Sequence, residues 1–535
     1  MRRPTDPTPP EPTPEFLAGQ LVMPRLDGAM PIGGPDYERV RNWIQVDGIG
    51  GFIVFGGSRD HTPKMLNHLQ SLSRLPLLFS SDLEEGAGQQ VAGFPRLPSA
   101  MAVAAAAGED WARRAGSETA RGAKEVGIHW VFAPVCDVNR DPKNPIINVR
   151  AFGDDPARAG ALAAEFLQGL QEAGIAGCAK HFPGHGGLDR DSHSDLAVLR
   201  TKIGDWNEGD RLPFAAAFAS RAASAMLGHI AWPAVDEREE MPASLSRKAV
   251  EFLRREMKFE GLLVTDALDM KGVSLRFSQE KAAVLAIEAG VDILLHPEDA
   301  GRLVARLRER AVQNPSFRMA VTSTSHRILR FKQNWTARGS LLKGDPETPD
   351  FASDLARAAV TLLRMDGELL PFPKGIRKGI AALAVSDERQ PPRVSLPFEE
   401  ALRARTPDLK WLGEFRGRAP EMPPSALEPY ERVVLATFSR GRAGRGTSGL
   451  GSETEKWLSS LSLRPLPIVA AAFGSPYVLS AAKAARAMFA AYSECDSSCQ
   501  AVASALYGEY PVRGKCPVSI PGIAERGAGI VWVGA

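Results

Sequence analysis

The sequence predicts an α/β protein in two parts, a (β/α)8 TIM-type barrel followed by a smaller αβα sandwich. Three observations predict it. The chain has 535 residues, too many for one compact core. Through residues 15–338 short apolar runs alternate with longer stretches of helical spacing. Beyond a segment rich in glycine, proline and charge, a second and shorter alternating region begins.

Taken in order, residues 1–14 are rich in proline and threonine and read as a disordered or extended arm. Two arginines open it, but no apolar stretch follows them, so it does not read as a secretory signal. Nowhere does the chain approach the roughly 20 consecutive apolar residues of a spanning helix. A cytoplasmic protein with no membrane partner is the expectation. Candidate strands follow at 20–26, 51–55, 76–82, 130–137, 177–182, 225–230, 262–268 and 291–297. Between them, stretches such as Asp155 to Ala173 and Lys248 to Met257 hold good helix formers at helical spacing. Alternation of this kind implies parallel strands joined by crossover helices, and this number of units fits a barrel better than an open sheet. Residues 339–350 (GSLLKGDPETPD) form the predicted linker. Residues 351–535 carry further candidate strands at 380–387, 433–439, 467–473 and 486–492, an open sheet covered on both faces.

The formal net charge of +2 and the absence of a long basic run argue against nucleic acid as a partner. Five cysteines in so long a chain make no disulfide framework. Cys136 and Cys178 sit in apolar runs and read as small core residues, while Cys495 and Cys499 are near enough in sequence to pair. No cofactor or metal is expected. Nothing in the sequence signals an oligomeric state, which stays open, a monomer among the possibilities.

The titratable residues are not scattered. Asp82, Asp137, Lys180, His181, His229, Asp266 and His296 fall at or near strand ends. In a barrel those ends form one rim, where loops build active sites. Asp137 and His296 read equally as loop caps or ion-pair partners. The densest stretch is KHFPGHGGLDRDSHSDLAVL, 180–199. Its glycines and Pro183 forbid a regular helix or strand, so it is a long loop. Asp191 and His193 lie two apart in it, a spacing that lets the carboxylate fold back onto the imidazole, fix its tautomer and raise its basicity. His181 and His185 have zinc-helix spacing, but Pro183 and Gly184 between them break any such helix. In GLLVTDALDMKGV, 261–273, Asp266 follows an apparent buried strand, where a partly desolvated carboxylate suits nucleophilic attack; the alternative is a helix N-cap. Asp269 is expected one turn into the next helix, facing sideways.

FAPVCDVN (132–139), NPIINVRAFGDDP (144–156), KHFPGHG (180–186), DSH (191–193) and VTDALDM (264–270) together resemble glycoside hydrolase family 3, above all its bacterial β-N-acetylglucosaminidases. ARAAVTLLRMDGELLPF (356–372), FGSPYVL (473–479) and RGKCPVSIPG (513–522) continue the resemblance to Gly522. It implies an exo-acting enzyme that removes terminal N-acetylglucosamine from muropeptides or chitooligosaccharides with retention. Asp266 matches the nucleophile, and His193 with Asp191 the acid/base dyad. Asp82, Arg150, Lys180 and His181 match positions that hold sugar hydroxyls. One departure bears on the site: where members often carry an arginine after the glycines in the loop following Asp82, this chain has Gln89 and Gln90. Three alternatives stand beside this reading: a phosphorylase using the same groups, a β-glucosidase drawing its acid from Glu428 or Glu494, and a non-catalytic sugar-binding protein. The loop 439–451 (SRGRAGRGTSGLG) lacks phosphate-loop spacing, and its arginines would suit an acidic aglycone near the barrel mouth.

Overall fold

The computed structural model describes residues 17–106, 110–188, 195–336, 350–373, 379–387, 393–441, 449–463 and 465–534. The predicted arm and almost all of the predicted linker lie outside these residues. In the first part of the chain the strands are β1 (Val22–Met23), β2 (Arg25–Asp27), β3 (Gly51–Phe55), β4 (Leu78–Ser81), β5 (Trp130–Val131), β6 (Cys178–Phe182), β7 (Ala197–Val198), β8 (Ser224–Leu227), β9 (Ile230–Ala231), β10 (Leu262–Thr265) and β11 (Leu294–Leu295). Every candidate strand of the sequence is represented, most of them shortened. All the pairings are parallel: β2–β3–β4–β5, β6–β8–β10, β7–β9, and β11 with β1. Single parallel bridges join Trp130 to Ala176 and Val264 to Ile293, linking the end of one sheet to the start of the next.

The helices between them obey local chemistry. Pro156–Glu172 starts with Asp155 accepting from the Arg158 amide and with proline at its first turn, which needs no amide donor. Gln279–Ala289 opens on a Ser278 cap and closes on Gly290, whose φ of 102° is left-handed. Inside the strands, Trp130 donates to Ser224 (2.7 Å), whose hydroxyl donates to the Gly177 carbonyl (2.8 Å), so the buried indole and hydroxyl are satisfied. Beside β6, Phe182, Trp206, Phe214 and Trp232 pack edge-on or tilted at 4.7 to 5.9 Å. Trp206 also donates to the Pro183 carbonyl (2.8 Å), which ties the loop after β6 to this aromatic cluster.

At the opposite end of the strands lies an ionisable group with no chemistry to do. Lys332, on the helix Pro315–Trp335, is fully buried and donates to Gln20 Oε1 at 2.6 Å; Gln20 Nε2 donates to the Gly48 carbonyl at 2.7 Å. Burial pushes the Lys332 amine down to about 7.

The second part contains β12 (Thr361–Met365), β13 (Ile380–Ser386), β14 (Lys410–Arg416), β15 (Arg432–Ser439), β16 (Ile468–Gly474) and β17 (Ala487–Ala490) in one sheet of order β12–β17–β16–β15–β13–β14. Only the β12–β17 pair is antiparallel. Successive strand residues point to opposite faces. Leu383, Val385, Val433 and Leu435 therefore join the core cluster of the first part, while Ala382, Ala384, Val434, Ala436 and Phe438 form a second cluster on the far face. The two parts also meet through polar contacts. Ser99 donates to the Tyr492 carbonyl (2.8 Å), Asn139 to the Tyr477 hydroxyl (2.8 Å) and Asn148 to Ser475 (3.2 Å). All five cysteines are free and buried, so Cys495 and Cys499 do not pair. No helix among the described residues is long and apolar enough to cross a membrane.

Candidate active site

A cavity of about 620 Å3 opens where the parallel strands of the first part end. Asp82 follows β4, Lys180 and His181 belong to β6, Asp266 follows β10 and His296 follows β11; all of them line it. Arg150 reaches it from the short turn Asn148–Arg150.

One wall is a continuous ionic network. Lys180 Nζ lies 2.7 Å from Asp82 Oδ1 and 2.6 Å from Glu84 Oε1. Arg150 forks onto the same Glu84 carboxylate, Nε to Oε2 at 2.9 Å and Nη2 to Oε1 at 2.8 Å. Burial alone would raise the Glu84 carboxyl, but Arg150 and Lys180 together hold it well below the usual range. Burial would likewise lower the Lys180 amine, yet Asp82 and Glu84 keep it raised and charged. Arg150 Nη2 also lies 3.3 Å from His181 Nε2. A guanidinium can only donate, so Nε2 is the acceptor and Nδ1 carries the proton. Nδ1 then donates to Asp137 Oδ2 at 2.7 Å. Asp137 is fully buried and accepts from the amides of His181 (3.2 Å) and His185 (2.6 Å) as well. Burial opposes its ionisation, but His181 and these donors hold its carboxyl below the ordinary value. Burial pushes the neighbouring His185 imidazole down to about 4, against the pull of Asp137.

Asp266 lines the same cavity. Its amide donates to the Leu227 carbonyl (2.9 Å), and its Oδ1 accepts from the Ala267 amide (2.9 Å). It is not an N-cap: the next helix, Lys271–Ser274, is capped by Met270. The Asp266–Ala267 turn is pinned by His229, whose Nε2 donates to the Ala267 carbonyl (2.8 Å) while Nδ1 accepts from Ser244 (2.7 Å). Asp269 corrects an expectation. It precedes that helix instead of lying within it, lines the cavity, and pairs with His296 Nδ1 at 2.9 Å.

Asp191 and His193 lie outside the described residues, in 189–194. The flanks of that segment are firmly held. Asn144 donates to the carbonyls of His185 and Leu188 (2.8 Å each), and Asp195 pairs with Arg276 (2.9 Å). Gly186 passes so close beneath Val138 that a Cβ would sit 1.8 Å from its carbonyl oxygen.

The structure thus gathers Asp82, Arg150, Lys180, His181 and Asp266 around one space, with His229 behind Asp266 and Asp137 behind the two histidines. Sequence reasoning missed Glu84, Arg25 and Phe55, all of which line the cavity; Arg440, from the loop 439–451 whose arginines were expected near the barrel mouth, lines it as well. Gln89 and Gln90 line it too, and Arg440 of the second part stands where they do, 3.4 Å from Glu85. Neither Glu428 nor Glu494 lines it.

Residues 17–331, more than half of the chain, match the glycosyl hydrolase family 3 N terminal domain. The chain belongs to glycosyl hydrolase family 3. Among similar proteins, a β-N-acetylglucosaminidase/β-glucosidase from Cellulomonas fimi is 32% identical over 348 residues, covering 61% of this chain and 61% of that protein. β-Hexosaminidase A of Pseudoalteromonas piscicida is 32% identical over 360 residues, 60% of each chain. The match therefore spans about three fifths of the length of both relatives. A solved family 3 β-N-acetylglucosaminidase from Paenibacillus sp. str. FPU-7 superposes with a TM-score of 0.82 at 25% identity, covering 95% of this chain and 99% of that one. This likeness extends through both parts of the chain, as the sequence resemblance does.

Proposed function

We propose that this protein is a retaining exo-β-N-acetylglucosaminidase acting on muropeptides or chitooligosaccharides. The observation that carries the reading is the gathering of Asp266 with a network of fixed donors and acceptors, Asp82, Arg150, Lys180 and His181, around one cavity at the strand ends. Such a wall suits the hydroxyls of a single sugar ring, and a ring so held favours removal of terminal residues. Asp266 attacks the anomeric carbon and forms a glycosyl-enzyme, while His193, oriented by Asp191, protonates the leaving oxygen and then deprotonates water. The relatives' names favour N-acetylglucosamine as the sugar. The succession of parallel pairings from β1 to β11, with β11 returning to β1, supports a closed (β/α)8 barrel over 15–338. The six-stranded sheet buried on both faces supports an αβα sandwich over 351–535.

The test is release of aryl alcohol from aryl N-acetyl-β-glucosaminide and aryl β-glucoside, with and without phosphate. The expected result is a preference for the N-acetylglucosaminide, the β-anomer of free N-acetylglucosamine as first product, and no turnover by Asp266→Asn. Undiminished turnover in that variant overturns the reading. A sugar phosphate formed only when phosphate is present identifies a phosphorylase instead.

A further inference from the structure

Asn144 is wholly buried and makes every hydrogen bond its amide group can make. Its Oδ1 accepts from the amides of Ile146 (3.0 Å) and Ile147 (2.7 Å), which turns the chain towards Arg150. Its Nδ2 donates to the carbonyls of His185 and Leu188, 2.8 Å each and 41 and 44 residues away. The group has one possible orientation, because two backbone N–H groups demand its oxygen and two carbonyls demand its nitrogen. One side chain thus joins two pieces of backbone. The first leads into the turn Asn148–Arg150, whose Arg150 lines the cavity and reaches back to the Ile146 carbonyl at 3.4 Å. The second is the turn 185–188, closed by the Leu188 amide donating to the His185 carbonyl at 3.3 Å. Leu188 is buried and stands three positions before Asp191 and five before His193. Nearer β6 this stretch has other supports: Trp206 on Pro183, Asp137 under the amides of His181 and His185, and Val138 against Gly186. Those contacts hold it as far as Gly186, and the Asn144 amide holds its end.

We infer that Asn144 is a positioning residue for the proton-transfer step: it ties the turn 185–188, from which the segment bearing Asp191 and His193 departs, to the turn that presents Arg150. This rests on the functional reading above, in which His193 protonates the leaving oxygen. That step needs the sugar and the proton donor in one frame, and a misplacement of about 1 Å can cost about 100-fold in rate. The turn's own 3.3 Å hydrogen bond fixes its shape but not its place relative to Arg150. Asn144 supplies the place through four bonds screened from water. It does not itself line the cavity, so its effect passes through the backbone it holds.

The experiment compares kcat/KM on chitobiose and on 2,4-dinitrophenyl N-acetyl-β-glucosaminide for wild type, Asn144→Asp, Asn144→Ser and His193→Ala. The sugar leaving group must be protonated as the glycosidic bond breaks, whereas 2,4-dinitrophenolate departs as the anion. Because kcat/KM covers only the steps up to the glycosyl-enzyme, it reads the acid role and not the later base role. Asn144→Asp keeps an acceptor for both amides but turns an oxygen to the two carbonyls, and Asn144→Ser has one donor where two are needed. The ratio between the substrates does not depend on how much of a preparation is folded, so a destabilised variant still gives an answer. His193→Ala is expected to lose about 100-fold or more on chitobiose and to stay within about threefold on the dinitrophenyl substrate. Both Asn144 variants are expected to show the same one-sided loss, about 10- to 100-fold on chitobiose. Equal falls on the two substrates, or no fall, in the Asn144 variants while His193→Ala keeps its one-sided loss overturns the inference alone. A His193→Ala variant that treats the two substrates alike, or a wild type that cleaves neither, overturns the functional reading and this inference with it.

Discussion

Replacing Lys332 by methionine should stabilise the protein at neutral pH and cease to do so in alkali. The amine falls from 10.5 to about 7 on folding because burial disfavours its charge. At about 1.4 kcal/mol per pKa unit, a buried ammonium then costs the fold on the order of 4 kcal/mol at pH 7. The sign follows from proton binding. Between about 7 and 10.5 the folded state binds fewer protons than the unfolded one, so wild-type stability rises with pH through that window. By pH ~10 the cost has shrunk to below about 1 kcal/mol. Methionine fills similar space but strips Gln20 Oε1 of its donor, a loss of roughly 1–3 kcal/mol in a buried site. Lys332→Met is therefore more stable than wild type by about 1–3 kcal/mol at pH 7, and equal or less stable at pH ~10. Urea midpoints followed by tryptophan fluorescence at the two pH values measure the change, and groups common to both proteins cancel in the difference. A variant destabilised by the same margin at both pH values would refute the argument, because its effect would then be packing alone.

Three further outcomes follow from the site. Glu84→Gln removes the charge shared by Arg150 and Lys180. Breaking a buried pair costs about 3–5 kcal/mol, so a lower melting temperature and a fall of at least ~100-fold in kcat/KM on an N-acetylglucosaminide are expected; unchanged kinetics would show that the carboxylate does not organise the wall. Gly186→Ala drives a methyl into the Val138 carbonyl and should displace the loop, abolishing turnover while the far-UV circular dichroism stays native; full activity would mean the loop is not so confined. Burial raises the Asp210 carboxyl to about 6 despite Arg140, so above that pH its charge weakens the fold. Asp210→Asn should be more stable than wild type above pH 6 and lose that advantage as the pH falls towards 4; a gap independent of pH would contradict this.

Much of this was legible because barrel-like chemistry is written at strand ends. Asp82, Lys180, His181 and Asp266 each follow or finish an apolar run, and the run alone tells which end of the strand they occupy. Glu84 was also within reach: it stands two residues from Asp82, a spacing that puts both carboxylates on one side of an extended segment. The glutamate pair in DLEEG hid it, since sequence gives no reason to bury two adjacent acids rather than leave them in solvent, yet both are buried, Glu85 against Arg96. Asp137 and His296 were legible as ion-pair partners but not by partner, because Asp137–His181 and Asp269–His296 are set by which strands lie side by side. Arg440 was legible only as one of several arginines in a loop expected near the barrel mouth: which of them enters the cavity depends on how the second sheet docks. Strands β12 and β14 were missed for a simpler reason. Thr361–Met365 is an edge strand with an arginine in it, and Lys410–Arg416 is only partly buried, so neither shows the continuous apolar run that marked the central strands.

The segment that carries Arg150 is gripped from outside its own half: Asn139 and Asn148 are tethered to Tyr477 and Ser475, and Gly441 comes so near Pro145 that a Cβ there would lie 2.7 Å from its carbonyl oxygen. On the proposed function, affinity for the sugar thereby becomes a gauge of whether the C-terminal sheet is seated. Loosening that seat, by mutation far from the cavity or by a molecule wedged at the seam, would slacken Arg150 first and its partner carboxylate next, long before either half unfolded.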